Sequence, residues 1–163
     1  VIYLRNTTRK HPLPARRFER IARRLLAATG RPDASLSLTF VGDAAMRRIN
    51  REHRGKDRTT DVLSFPLYEP FAVPKRVPPG RELLIGDIII SIDAAARQAA
   101  DYDATLNAEI ERLLVHGIAH LLGHDHEEPR ERARMVREEK RLAAAIGLPW
   151  PYARSLGAPT VDR

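Results

Sequence analysis

The chain has 163 residues, of which 43% are hydrophobic and 30% charged, a length and composition that suit one globular domain and exclude a disordered chain. Lys and Arg number 28 against 21 Asp and Glu, and the resulting net charge of +7 favours polyanionic partners, nucleic acid foremost. The absence of cysteine excludes disulfides and thiolate metal sites, so any metal must sit on histidine and carboxylate.

Val1–Leu4 is apolar and β-prone and predicts a strand. Pro12 and Pro14 open a helix in which Phe18, Ile21, Ala22, Leu25 and Leu26 form one stripe, ended by Gly30 and Pro32. Arg16, Arg17, Arg20, Arg23 and Arg24 fall largely outside that stripe and read as a solvated face. Leu36, Leu38 and Phe40 alternate with Ser37, Thr39 and Val41, the pattern of a half-buried strand. Asp43 is expected to cap a short helix that turns Met46 and Ile49 inward and ends before Gly55. Asp61–Phe65 reads as a strand stopped by Pro66. Prolines 66, 70, 74, 78 and 79 exclude regular structure from the segment 66–80, which is expected to be a functional flap or a mobile insertion.

Leu83–Ser91 is the most apolar run and predicts a central strand; Leu83–Ile92 contains Gly86, Asp87 and Ser91, and falls short of the roughly 18 residues of a membrane span. Asp87 inside it is costly unless hydrogen-bonded, and is expected to be structural, bonding a loop or a ligand histidine. Asp93–Ala100 predicts a short alanine-rich helix. Thr105–Leu122 predicts the strongest helix, with Leu106, Ile110, Leu113, Leu114, Gly117 and Leu121 on its buried side and Gly123 just past its end. Pro129 begins a last helix, closed by Gly147 and Pro149. This order predicts an α+β fold, a small mixed sheet of about four strands packed with helices. One domain over 1–163 is expected, with 150–163 as a tail, and the cytoplasm as its compartment.

Four of the six histidines fall in the window His116 to His126. His116 and His120 are one turn apart on the strongest helix, so their rings leave the same face, as two imidazole ligands of one cation do. Gly123 lets the chain turn sharply, so that a later histidine can return a third nitrogen. The spacing His116, His120, His126, with Gly123 between, equals that of the metzincin peptidases, which selects His126 over His124 as the third ligand. His124 and Asp125 then lie beside the site. In those peptidases a glutamate general base follows the first histidine; here that residue is Gly117, so the metal frame is present and the peptidase's base is not.

The run His116-Gly117-x-x-His120-Leu121-x-Gly123-x-Asp125-His126 resembles the signature of the YbeY endoribonucleases. Two further blocks are similar to theirs: Ile49 to Asp57 followed by Thr60 to Pro66, and Ile85 to Ser91. The resemblance implies one zinc ion held by His116, His120 and His126, and a metal-dependent, single-strand-preferring endoribonuclease acting in ribosomal RNA maturation and ribosome quality control. It implies a ribosomal RNA precursor as substrate, the small ribosomal subunit or its associated proteins as partners, and a functional arginine at Arg54. The chain departs from the family in having His124 where tyrosine or phenylalanine is common, and Thr59 where proline is. Two other readings fit parts of the pattern: a zinc peptidase, which the histidine spacing suggests and Gly117 opposes, and a non-catalytic RNA-binding factor braced by zinc.

Overall fold

A computed structural model describes residues 1–150, and these run β1 (Ile2–Asn6), α1 (Ala15–Ala28), β2 (Ser35–Val41), α2 (Asp43–Arg54), β3 (Val62–Pro66), β4 (Leu84–Ser91), α3 (Ile92–Asp101), α4 (Leu106–Leu121) and α5 (Pro129–Ala145). The tail expected over 150–163 lies, apart from Trp150, outside the described residues. Among them no helix is long and apolar enough to cross a membrane.

The strands form one four-stranded mixed sheet in the order β1-β2-β4-β3. α1 carries the chain back between β1 and β2, and β3 with the loop after it does so between β2 and β4, so β1, β2 and β4 are parallel. β3 closes the sheet antiparallel to β4, with Leu63 opposite Ile89 and Phe65 opposite Asp87. Period-two alternation divides the apolar residues between the faces. Leu36, Leu38, Phe40, Ile88 and Ile90 enter the main core with α1 and α4, while Val41, Met46 and Leu63 form a smaller cluster with α2, to which Ile89 packs.

Two expectations are corrected by the packing. α4 is enclosed rather than one-sided: besides its apolar stripe it buries Glu109, Glu111 and Arg112, because α1, α3, α5 and the sheet surround it. Arg112 and Glu109 pair with each other inside the protein, and Gln98 accepts a further bond from Arg112 at 3.2 Å. Asp43 is not the cap of α2: Gly42 holds that position, and the Asp43 carboxylate accepts from Arg97, Ser91 and Thr59. Those bonds, the one from Arg97 foremost, hold the Asp43 carboxyl below its ordinary value.

The proline-rich segment 66–80 is irregular, as expected, but it is pinned rather than loose. Leu67 N–H donates to Ile85 and Phe71 N–H to Leu122, at 3.1 and 2.9 Å. Val73 is buried, and the Arg31 guanidinium donates to the carbonyls of Val73 and Pro74 at 2.8 and 3.2 Å. The loop is a strap laid from the end of β3 across the turn that follows α4.

Candidate metal centre

His116 and His120 stand one turn apart at the C-terminal end of α4, and His126 returns toward them from the turn beyond Gly123. One ring nitrogen from each of the three lies within 4.8 Å of the others. His116 Nε2 and His120 Nε2 face each other at 3.0 Å. Two nitrogens each about 2.0–2.1 Å from one tetrahedral ion lie roughly 3.3 Å apart, so the pair is spaced as two ligands of a single ion. His126 Nδ1 is buried without a hydrogen-bond partner, a state that polar atoms rarely keep unless something binds them. A trio of imidazoles suits a borderline divalent transition-metal ion.

The protonation states agree with that fit. Burial first, and then the neighbouring His116 and His126, push the His120 pKa down to about 3, so its ring is neutral at physiological pH and its lone pair is available. His116 Nδ1 lies 2.8 Å from Glu139 Oε2, and both groups are buried. Donation from Nδ1–H to that carboxylate fixes the tautomer in which the Nε2 lone pair faces His120. Glu139 comes from α5, and sequence reasoning missed it. The signal was present: a carboxylate four residues after Met135 and three before Leu142 interrupts an otherwise apolar stripe.

Two glycines make the geometry possible. A Cβ on Gly117 would lie 2.9 Å from Ile88 Cδ1 and 3.1 Å from its Cγ2, so α4 rests closely on β4 there and a side chain would have to displace Ile88. The position that carries the base in metzincins is thus a helix–sheet contact here. Gly123 has φ +112, and a Cβ there would come within 2.6 Å of Phe71 N and 2.7 Å of Pro70 Cα, both backbone atoms of the strap. Neither the strain nor the clash can be relieved by a rotamer change. Gly123→Ala is therefore expected to cost at least about 2 kcal/mol, read as a lowered Tm with weakened metal retention, since His126 hangs on that turn.

The cluster opens on a cleft of about 400 Å³ whose walls include Arg54, Ser64, Tyr68, His120, His124 and Asp125. Arg54 is the last residue of α2, exposed, with Gly55 in the left-handed conformation behind it. It reaches the same cleft as His120 from the opposite side of the sheet's edge strand. His124 is half-buried, its Nδ1 has no hydrogen-bond partner, and its ring meets Phe71 edge-on at 5.1 Å rather than joining the trio. Asp125 Oδ1 accepts the His126 backbone N–H at 2.7 Å and so steadies the returning turn. Asp87 lies half-buried on β4, and the carboxylate that reaches His116 is Glu139 in its place.

The family model described as "Endoribonuclease YbeY" matches residues 3–147. The chain is 51% identical over 134 residues to an "Endoribonuclease YbeY" of Anaeromyxobacter sp. strain Fw109-5, covering 82% of this chain and 66% of that one. It is 37% identical over 148 residues to the protein of the same name from Geobacter metallireducens, covering 89% and 95%. A relative of that name from Myxococcus xanthus is 50% identical over 113 residues, and there the match spans only 37% of the relative. The fold is similar to the solution structure of a Thermotoga maritima protein, with a TM-score of 0.62 at 22% identity, over 100% of this chain and 97% of the other.

Proposed function

This chain belongs to the YbeY endoribonuclease family, and on that premise we propose that it is a zinc-dependent endoribonuclease that cleaves single-stranded RNA, with ribosomal RNA precursors in the cytoplasm as its substrate. The observation that carries the reading is the meeting of a three-imidazole cluster and an exposed guanidinium in one cleft. Its partners are then RNA and the small ribosomal subunit.

The chemistry follows from the charges. A phosphodiester is an anion that repels a nucleophile, and charge accumulates on its oxygens as the reaction proceeds. The Arg54 guanidinium holds the phosphate by paired N–H donors and offsets that growing charge. His116, His120 and His126 hold the ion, Glu139 fixes the His116 ring, and Asp125 fixes the turn that carries His126. Zinc when bound supplies Lewis acidity and a water of lowered pKa. Gly117 offers no proton acceptor, which sets this cleft apart from that of a peptidase.

The test is a cleavage time course on a single-stranded RNA and, in parallel, on an unstructured peptide. RNA cleavage is expected, with loss on chelation and recovery on adding zinc back, and no peptide cleavage. Undiminished RNA cleavage in metal-stripped protein, or peptide cleavage in its place, would overturn the reading.

A further inference from the structure

We propose that Phe71 is a stacking platform for an unpaired base of the RNA, set on the rim of the cleft by the same turn that shapes the metal centre. The inference rests on the nuclease reading and adds a substrate contact to it.

Phe71 has φ +61, a left-handed conformation that bulky side chains rarely adopt, and it remains 53% exposed. Strain of this kind is usually offset by burial, and here half of the residue stays in water. What the strained backbone achieves is placement. Phe71 N–H donates to Leu122 at 2.9 Å, and the bare Gly123 leaves room for the Phe71 nitrogen against the turn. Pro70, just before it, lines the cleft. The ring's orientation is also held, with the Arg134 guanidinium 4.7 Å above its centroid and the His124 ring edge-on at 5.1 Å.

The surroundings select a nucleobase. Single-stranded RNA is gripped where an aromatic face receives a base and a nearby cation receives the phosphate beside it. Phe71 with Arg134 offers that combination at the edge of a cleft holding Arg54, on a chain of net charge +7. A free apolar side chain of a protein partner would gain little from the guanidinium. A base gains from both, because it stacks on the ring face that Arg134 does not cover while its backbone carries the charge that matches the guanidinium. The platform is preorganised: the strap is tied at Leu67, Phe71, Val73 and Pro74, so a base that docks does not have to order it.

The experiment measures binding of a short single-stranded RNA carrying 2-aminopurine at successive positions, in metal-stripped protein, by anisotropy and by quenching of the probe. Wild type, Phe71→Tyr, Phe71→Leu and Phe71→Asn are compared, with Tm measured for each; asparagine tolerates the left-handed conformation and keeps the fold intact. Wild type and Phe71→Tyr are expected to bind alike and to quench the probe at one position. Phe71→Leu and Phe71→Asn are expected to bind roughly tenfold more weakly and to lose that quenching, and an abasic site at that position should erase the difference between variants. Equal affinity and quenching in all four, with wild type still cleaving RNA, would overturn the platform and leave the nuclease reading standing. Full retention by Phe71→Leu alone would mean an apolar contact of the kind a protein partner makes, and would also overturn it. A wild type that neither binds nor cleaves RNA would fail the nuclease reading itself.

Discussion

Arg54→Glu is expected to abolish RNA cleavage while leaving fold and metal content intact. The side chain is exposed at the last residue of α2, so its replacement opens no cavity. A carboxylate at a helix C-terminus costs about 0.3–1 kcal/mol, little against the 5–15 kcal/mol by which domains of this size are typically stable. The loss on the chemical side is far larger. Removing one preorganised donor from a developing oxyanion typically costs about 10²–10³ in rate, and the glutamate adds repulsion of the phosphate. Arg54→Lys keeps the charge but loses the planar fork, and should fall between, roughly tenfold below wild type. The measurement is a cleavage time course on single-stranded RNA for all three proteins, with zinc determined in each. Equal rates at equal zinc content would remove Arg54 from the mechanism.

His120→Ala is expected to empty the metal site and with it to remove activity, because two neutral imidazoles hold a divalent ion poorly. It is a cleaner test than His116→Ala. His116 Nδ1 is a buried partner of Glu139, and deleting that ring removes a hydrogen bond to a charged group in the core, at a cost of about 1–3 kcal/mol. His116→Ala should therefore lose both metal and stability, His120→Ala mainly metal. Glu139→Gln keeps the shape and removes the charge, and a weakening of roughly 10–100-fold in metal affinity is expected. His126→Ala should behave as His120→Ala does, and His124→Ala should retain about one ion per chain. Zinc retention of the four histidine variants after dialysis, with Tm alongside, checks the set. Retention in His126→Ala together with loss in His124→Ala would exchange the two assignments.

The two halves of the candidate site differ in how visible they were from residues alone. His116 and His120 are neighbours because a helix makes them so, and the spacing of four states it. Gly123 announces the sharp turn, and the three-histidine grouping follows from eleven residues of chain. Glu139 is 23 residues from His116, and only the packing of α5 on α4 makes them partners. Arg54 was singled out by resemblance alone, since in a chain with 28 basic residues no local pattern distinguishes one arginine from the rest. Its place in the cleft depends on where α2 ends relative to β3.

Local periodicity determined the elements themselves. Alternation in Leu36–Val41, the isoleucine run at 88–90 and the stripes of α1 and α4 each encode a strand or helix within a few residues, because backbone geometry repeats every 2 or 3.6 residues. What periodicity cannot encode is which faces meet. That α4 is enclosed, and so carries a buried Glu109–Arg112 pair, results from three helices and the sheet packing round it. That the proline-rich strap is pinned, with Phe71 held at a positive φ against Gly123, results from contacts between segments some fifty residues apart in the chain. Proline removes donors and so excludes regular structure locally; whether the resulting loop is loose or tied is decided by the partners that the rest of the fold brings to it.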